Sequence, residues 1–423
     1  MARINVLVFP CGSENASEIH QALTHSIHVN LHGASSVDDH GRFLFERYAG
    51  DLPRISDPAF DAAFAKLLQR WNIQLVFATH DTVQEYLACR ASALGVTLVN
   101  GNEQAARIAR RKSLTYELFA DREWKPRVFS SIEEVTAWPA VIKPDLGQGG
   151  NGVTLASDAA DAQAALLRVE QPLLVEYLPG EEVTVDCFTD RNRKLVLAAA
   201  RTRERVRAGI SMRCRNLETA PEILEIAGQI NARMILRGPW FFQLKKDRAG
   251  RWKLLEVSGR VAGAMVAQRA RGINLPLMAV HDFMGRDVSP LPVEEVLLIE
   301  RRIQTVAQLD YDFDSVYVDF DETVIMNGKA IPSTLYFLYR MLARGKRLIL
   351  VTRHAGDVLE ALDQARIAPA LFSEIIHLKE GQKKSDFIRG KAIFVDNHFP
   401  ERLDVARVCG IPVFDVDALE LIN

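Results

Sequence analysis

Short, continuous apolar runs alternate with segments of helical period along the first hundred residues. "INVLVF" (4–9) reads as a buried strand, followed by a Gly/Ser/Asn loop and the helical pattern "ASEIHQAL". "IHVNLHG", "IQLVFATHD" and "VTLVNG" are further strands, and Thr82–Leu94 has helical spacing. This βαβ series predicts a mostly parallel sheet with ligands at the C-terminal strand ends, here Cys11–Ser13 and Thr79–Asp81.

From about Ala105 to Pro290 the pattern changes to mixed strands and helices broken by glycine loops. The Pro/Val/Glu-rich stretch "VSPLPVEEVLLIERR" (288–302) reads as a linker or edge element. A new βαβ series then begins, with strands "SVYVDF", "RLILVT", "SEIIHL", "KAIFVD" and "IPVFDV". The expected organisation is an α/β protein with segments 1–104, 105–290, a linker 291–311, and 312–423.

Composition narrows the picture without redirecting it. Of 423 residues, 48% are hydrophobic and 25% charged, which are ordinary globular values with ample core. A net charge of −2 supplies no basic field for nucleic acid or a membrane surface. No stretch approaches the ~18 apolar residues of a membrane span, and the N-terminus, broken by Pro10, reads as strand and turn, not as a signal peptide. The five cysteines, Cys11, Cys89, Cys187, Cys214 and Cys409, are scattered without a CxxC, which fits free thiols in a reducing compartment. A cytoplasmic location is expected. His25, His28, His32 and His40 lack Cys or Glu at ligand intervals and read as surface polar residues instead of a metal cluster.

Candidate chemistry concentrates in three middle segments. In "PAVIKPDLGQGGNGVTL" (139–155) an apolar strand delivers Lys143 to a glycine-rich turn that includes Gly149 and Gly150. Glycines let backbone N–H groups wrap phosphates, and a lysine neutralises their charge. No GK[ST] closes the turn, so it is not a Walker A loop. In "LLVEYLPGEEVTVDCF" a strand ends at Glu176, Pro-Gly turns the chain, and an alternating strand carries Glu182; these carboxylates can accept amine and ribose hydroxyl protons. In "FFQLKKDRAGRWKLLEVSGRVAG" (241–263) two strands bring Gln243 and Glu256 close together, a pair of oxygens suited to Mg²⁺, with Arg260 suited to phosphate.

In this order, with Lys112 in "ARRKSLTYELF" ahead of them, the segments resemble the ATP-grasp superfamily, in particular its carbamoyl-phosphate synthetase and biotin carboxylase branch. The resemblance covers about residues 1–290 and implies a pre-ATP-grasp α/β domain followed by an ATP-grasp domain. It implies that Lys112 and Lys143 bind ATP phosphates, that Glu176, Tyr177 and Leu178 hold adenine, and that Glu182 holds ribose. Gln243 and Glu256 would ligate Mg²⁺ and Arg260 would stabilise the transferring phosphate. Ser258 stands where the family has a metal-binding asparagine, and a serine hydroxyl is a shorter, weaker oxygen ligand. The Arg-rich stretch "RTRERVRAGISMR" (201–213), with Arg201, Arg203, Arg207 and Ser211, points to an anionic substrate, and a solvated basic loop reads equally well. His80 is placed to contact substrate or to cap the following helix.

At the C-terminus, "VYVDFDET" puts Asp319 and Asp321 at a strand end; the first carboxylate can attack phosphorus and the second can act as acid and base. "RLILVTRH" supplies Thr352, "EGQKKSDFI" supplies Lys383 or Lys384, with Lys384 preferred because it starts the helical pattern, and "KAIFVDNHFPER" supplies Asp396. This set resembles the haloacid dehalogenase superfamily over about residues 312–423. It implies a small Rossmann-like domain with Asp319 as nucleophile, Asp321 as acid/base, Thr352 and Lys384 as phosphate ligands, and Asp319, Asp321 and Asp396 around Mg²⁺. Asn397 stands where a second aspartate is common, with Glu401 the nearest substitute. A single helix, "STLYFLYRMLARG", before the next strand leaves no room for a cap domain.

The two resemblances together imply a bifunctional enzyme: an ADP-forming carboxylate–amine ligase and a phosphatase. The alternative is a ligase whose C-terminal domain senses phosphate or scaffolds. The expected cofactors are ATP and Mg²⁺, with Mn²⁺ as a substitute. The expected partners are small carboxylates and amines, a phosphorylated substrate and, compatibly, further copies in a homo-oligomer, with no nucleic acid and no membrane.

Overall fold

The computed structural model describes residues 3–147, 149–207 and 209–422. The chain divides into two compact units, Met1–Arg302 and Ile303–Asn423.

Unit one opens with a five-stranded parallel sheet of β1 (Ile4–Phe9), β2 (Val29–Ala34), β3 (Arg47–Ala49), β4 (Leu75–Ala78) and β5 (Thr97–Leu98), ordered β3-β2-β1-β4-β5. Strand order reverses between β2 and β4 around β1, the position where open α/β sheets leave a crevice. Around the sheet run α1 (Glu14–Leu23), α2 (Phe60–Arg70) and α3 (Asp81–Ala88). Alternate sides of β1 feed two cores: Val6 and Val8 pack with Ala16, Ile19 and Leu23 of α1, and Leu7 and Phe9 pack with Phe60 and Phe64 of α2. Ser13 caps α1 by accepting from the Ala16 amide, and His80 caps α3 through Nδ1 at 3.3 Å from the Thr82 amide.

After α4 (Glu103–Arg110) and α5 (Lys112–Leu118), strands β6 (Val128–Phe129), β7 (Ala140–Pro144), β8 (Thr154–Ala156) and β9 (Pro172–Glu176) form an antiparallel sheet ordered β6-β9-β7-β8. It packs on α6 (Ala159–Leu166) through Ala162 and Ala165. Next come β10 (Glu182–Thr189), β11 (Leu195–Thr202), the hairpin strands β12 (Arg205–Arg207) and β13 (Ile210–Arg215), and α7 (Pro221–Arg233). Then follow β14 (Gly238–Lys246), β15 (Trp252–Ser258), α8 (Val266–Ala270), α9 (Leu275–Phe283) and β16 (Leu298–Glu300). Strands β11-β10-β14-β15 make a second antiparallel sheet, whose Val183, Val185, Cys187, Phe242 and Leu244 pack on Ile223, Ile226 and Ile230 of α7. Within the stretch read as a linker or edge element, Leu298–Glu300 is a strand that pairs with β13.

In β10 the apolar residues take alternate positions, so Glu182, Thr184 and Asp186 share the opposite face. The pairing aligns Arg201 (β11), Thr184 (β10), Gln243 (β14) and Glu256 (β15) in one cross-strand row. Glu182 and Lys245 pair one row away, and Asp186, Phe241 and Ser258 align on the other side.

Unit two carries a parallel sheet ordered β21-β20-β17-β22-β23: β17 (Ser315–Val318), β20 (Arg347–Thr352), β21 (Glu374–His377), β22 (Ala392–Val395) and β23 (Val413–Phe414). A small β-hairpin, β18 (Ile325–Met326) and β19 (Lys329–Ala330), leads into α10 (Pro332–Ala343), and α11 (Val358–Gln364) and α12 (Phe399–Cys409) complete the unit. Its strands are apolar on both sides: Val316, Val318, Leu348 and Leu350 join one core with Phe337 and Leu338, while Tyr317, Ile349 and Val351 join another with Val405. Among the described residues, no helix of either unit is long and apolar enough to cross a membrane.

Candidate functional site

In unit one a cavity of about 850 Å³ is bounded by the glycine turn, the cross-strand row and the first turn of α1. Lys143, on β7, is 7% exposed and donates to the Tyr116 hydroxyl at 2.7 Å. Burial lowers its ammonium to about 7, the charge of Lys112 pushes the same way, and Glu256 opposes them. Lys112 begins α5 and donates to the backbone oxygens of Asp145 and Gly147, at 3.4 and 3.2 Å. Burial lowers Lys112 as well and raises the Glu256 carboxyl, with the lysine and the glutamate partly compensating each other.

Gly149 and Gly150 line the cavity with φ of 60° and 78°. A Cβ on Gly209, in the β12–β13 turn, would fall 2.0 Å from Gly149 Cα, so this turn lies directly against the glycine turn. Glu176, Tyr177 and Leu178 also line the cavity. Glu176 Oε1 accepts the Arg127 amide at 2.7 Å, so that oxygen already ties β9 to the chain before β6. Glu182 is held by Arg203 at 2.6 Å and Lys245 at 3.5 Å.

Gln243 and Glu256 lie directly opposite each other in the cavity wall. Ser258 does not join them. Its buried hydroxyl donates to Asp81 Oδ1 at 2.6 Å, and Arg260 grips the same carboxylate from Nε and Nη2 at 3.0 and 2.9 Å. The expectation that Ser258 faces a metal is corrected, since its proton and orientation are committed to Asp81. Asp81 opens α3 beyond the strand end flagged in the sequence, and neighbouring His80 both caps the helix and lines the cavity, where burial lowers its pKa.

The Arg-rich stretch is divided in its roles. Arg201 and Ser211 are buried in the cavity wall, and Arg203 borders it. Arg207 is exposed and does not line the cavity, which corrects its expected substrate role. Arg205 pairs with Glu300, Arg213 with Glu204 and Glu300, and Arg215 with Glu204. Arg201 is locked to fully buried Asp186 by two bonds of 2.7 and 3.1 Å, with Gln268 also on that carboxylate. Removing one partner of such a pair strands a charge in a dry interior. Asp186→Ala is therefore expected to lose about 3–5 kcal/mol of unfolding free energy, measured as a fall in the denaturant midpoint at unchanged slope.

In unit two, Asp319 follows β17, Asp396 follows β22 and Thr352 ends β20, so all three meet at the same sheet edge. Lys384 Nζ bridges Asp319 and Asp396 at 2.6 Å each, while Lys383 reaches Asp404. Burial raises the Asp319 carboxyl to about 6 against the pull of Lys384, with Asp396 reinforcing the rise. The Thr352 hydroxyl accepts the His354 amide at 3.0 Å. Asp321 does not converge with the other two carboxylates: it turns to His354 Nδ1, at 2.9 and 3.1 Å. Among the described residues no group of three or more His, Cys, Asp or Glu is gathered to hold a metal. In this arrangement an ammonium joins Asp319 and Asp396 and an imidazole holds Asp321, so the three carboxylates expected around Mg²⁺ do not meet. Asn397 bonds Thr323 and Glu322, and Glu401 pairs with Arg353.

Sequence reasoning missed Tyr116, Asp186 and His354. Asp186 was discoverable as the third polar residue in the period-two series of β10. Tyr116 and His354 left no comparable pattern.

The family model described as "ATP-grasp in the biosynthetic pathway with Ter operon" matches residues 168–305. The D-alanine–D-alanine ligase of Fusobacterium nucleatum is 30% identical over 60 residues, a match spanning 14% of this chain and only 21% of that ligase. Among solved structures, the L-amino acid ligase from Bacillus licheniformis superposes with a TM-score of 0.55 at 17% identity, covering 67% of this chain and 74% of its own. N5-carboxyaminoimidazole synthetase from Staphylococcus aureus complexed with ADP gives 0.57 at 14% identity, covering 68% and 79%. A biotin carboxylase complex from Campylobacter jejuni gives 0.56 at 13%, covering 69% and 73%. These likenesses show an ATP-grasp fold.

Proposed function

We propose that unit one is an ADP-forming ligase that activates a carboxylate as an acyl phosphate and passes the acyl group to an amine or related nucleophile. The observation that carries this reading is the row in which Gln243 and Glu256 stand side by side in one cavity with Lys112, Lys143 and Arg260. An amide oxygen beside a carboxylate fits a hard divalent cation that keeps phosphate ligands, so Gln243 and Glu256 would hold Mg²⁺ or Mn²⁺. When bound, the cation supplies positive charge to the phosphate oxygens.

The chain's own groups divide the remaining work. Lys143 and Lys112 hold the triphosphate, the glycine turn brings backbone N–H groups to it, and the 176–178 segment and Glu182 hold the nucleoside. A substrate carboxylate oxygen forms a bond to the γ-phosphorus as the bond to the bridging oxygen of ADP breaks. The nucleophile then attacks the acyl carbon, the carbon–oxygen bond to phosphate breaks, and the nucleophile's proton leaves with phosphate or solvent. Asp81, through two bonds to Arg260, fixes the guanidinium that faces the transferring group. Replacing Lys143 with methionine tests the nucleotide part: ADP affinity should fall by about 100-fold, read by calorimetry.

Lys143 also sets a pH dependence. Its ammonium sits near 7 in the folded chain, against ~10.4 for an ordinary lysine. Between those values the unfolded chain holds the extra proton, so this lysine's destabilising effect fades as pH rises. A phosphate beside it restores the charge. At pH 8.5, ADP binding is expected to take up close to one proton, and affinity should weaken as pH climbs above about 7. Calorimetry in buffers of different ionisation enthalpy reads the uptake, which Lys143→Met should remove.

A second reading concerns unit two: a Mg²⁺-dependent phosphatase of the haloacid dehalogenase type, with Asp319 as nucleophile, Asp321 as acid/base, and Thr352 and Lys384 on the phosphate. What favours it is Lys384 bridging Asp319 and Asp396 at the ends of adjacent parallel strands. A non-hydrolytic phosphate-sensing module is the alternative, and turnover of an aryl phosphate separates the two.

A further inference from the structure

Three buried donors bordering the unit-one cavity have no oxygen or nitrogen partner among the described residues: Arg201 Nη1, Ser211 Oγ and Arg301 Nη1; the Arg201 guanidinium also meets the Cys214 thiol, a weak acceptor. Arg201 is 1% and Ser211 2% exposed, and both line the cavity. Arg301 Nη1 lies beside it, 3.5 Å from where a Cβ on Gly263 would stand, and Gly263 is part of the cavity wall. Buried donors are nearly always satisfied, so unpartnered ones at a cavity are places where an acceptor, water or ligand, can bind.

The cluster is built. Arg201 gives Nε and Nη2 to Asp186, which leaves Nη1 pointing away from that pair, and Gln268 steadies the carboxylate. Arg301 is held through its backbone amide to Met212. Nearby Glu18 is occupied by Arg269 at 2.8 and 2.9 Å. Two guanidinium N–H groups and a hydroxyl match the planar, multiply accepting oxygens of a carboxylate.

Position separates this place from the reacting centre. Arg201 lies on β11, two strands from Gln243 and three from Glu256 in the same row. At about 4.8 Å between strands, the Arg201 backbone stands roughly two strand spacings from that of Gln243 in the wall of the same cavity. We propose that Arg201, Ser211 and Arg301 form a subsite for a second carboxylate, one that does not react. This inference rests on the ligase reading and narrows its substrate class. The second carboxylate belongs either to the acyl donor, which would be a dicarboxylate, or to the nucleophile, which would be an amino acid.

The test is thermal unfolding of the full chain with MgADP, titrated with glutarate against acetate and with L-alanine against L-alaninamide. Glutarate or L-alanine should raise the midpoint saturably, and acetate and L-alaninamide should not; the responding arm identifies the source. In Ser211→Ala the apparent Kd should rise roughly tenfold, and the fold should hold because that hydroxyl bonds nothing. Arg201→Lys should abolish the response while retaining a charge opposite Asp186. The proposal is overturned if neither carboxylate outperforms its control, or if Ser211→Ala responds as the wild type does. A midpoint insensitive to MgADP itself would instead count against the ligase reading.

Discussion

Glu256→Gln is expected to reduce ADP formation by about 1,000-fold while leaving the fold intact or slightly firmer. Glu256 is the one carboxylate in the Arg201–Thr184–Gln243–Glu256 row, and it faces Lys112 within the same cavity. Glutamine keeps its size and one oxygen but removes the charge that would anchor a divalent cation. Burial raises the Glu256 carboxyl, so its ionised form destabilises the folded chain above the ordinary carboxylate range, and a neutral amide relieves that. Loss of turnover with an unchanged or higher unfolding midpoint separates catalysis from folding. If turnover survived, Glu256 would not be part of the reacting centre.

The second large effect belongs to unit two. Asp319→Asn should lower Mg²⁺-dependent hydrolysis of p-nitrophenyl phosphate by roughly 1,000-fold or more and leave ADP formation unchanged. An amide nitrogen or oxygen does not attack phosphorus as a carboxylate does. Asparagine still accepts from Lys384, and Asp396 remains at 2.6 Å to hold that ammonium. Hydrolysis that persists in the variant would favour the sensing alternative with a contaminating activity. Loss of ADP formation in the same variant would contradict two separate sites.

Much of this was legible before the structure because it rests on local patterns. Continuous apolar runs marked β1, β4, β17, β20 and β22, which are buried on both sides of parallel sheets. Glycines at positive φ marked the turn that borders the cavity. What sequence could not convey was which carboxylate meets which cation across the fold. Ser258 was offered as a metal ligand because it stands where the resembled family has a metal-binding asparagine. The structure gives its hydroxyl to Asp81, 177 positions away, which is also gripped by Arg260. Five arginines in one stretch looked alike, yet pairing with Glu204 and Glu300 neutralises two of them, Arg205 and Arg213, and leaves Arg207 exposed. Only cross-strand register, set by the whole sheet, turns Arg201 onto Asp186 and leaves one guanidinium nitrogen without an oxygen partner.

The central claim is that unit one makes an acyl phosphate from ATP and a carboxylate. The most direct measurement incubates the full chain with MgATP, a panel of mono- and dicarboxylic acids and hydroxylamine, and quantifies hydroxamate, ADP and AMP. The account predicts hydroxamate and ADP in equal amounts with at least one acid, no AMP, and loss of both products in Glu256→Gln. AMP with pyrophosphate, or ATP hydrolysis indifferent to every acid, would contradict it.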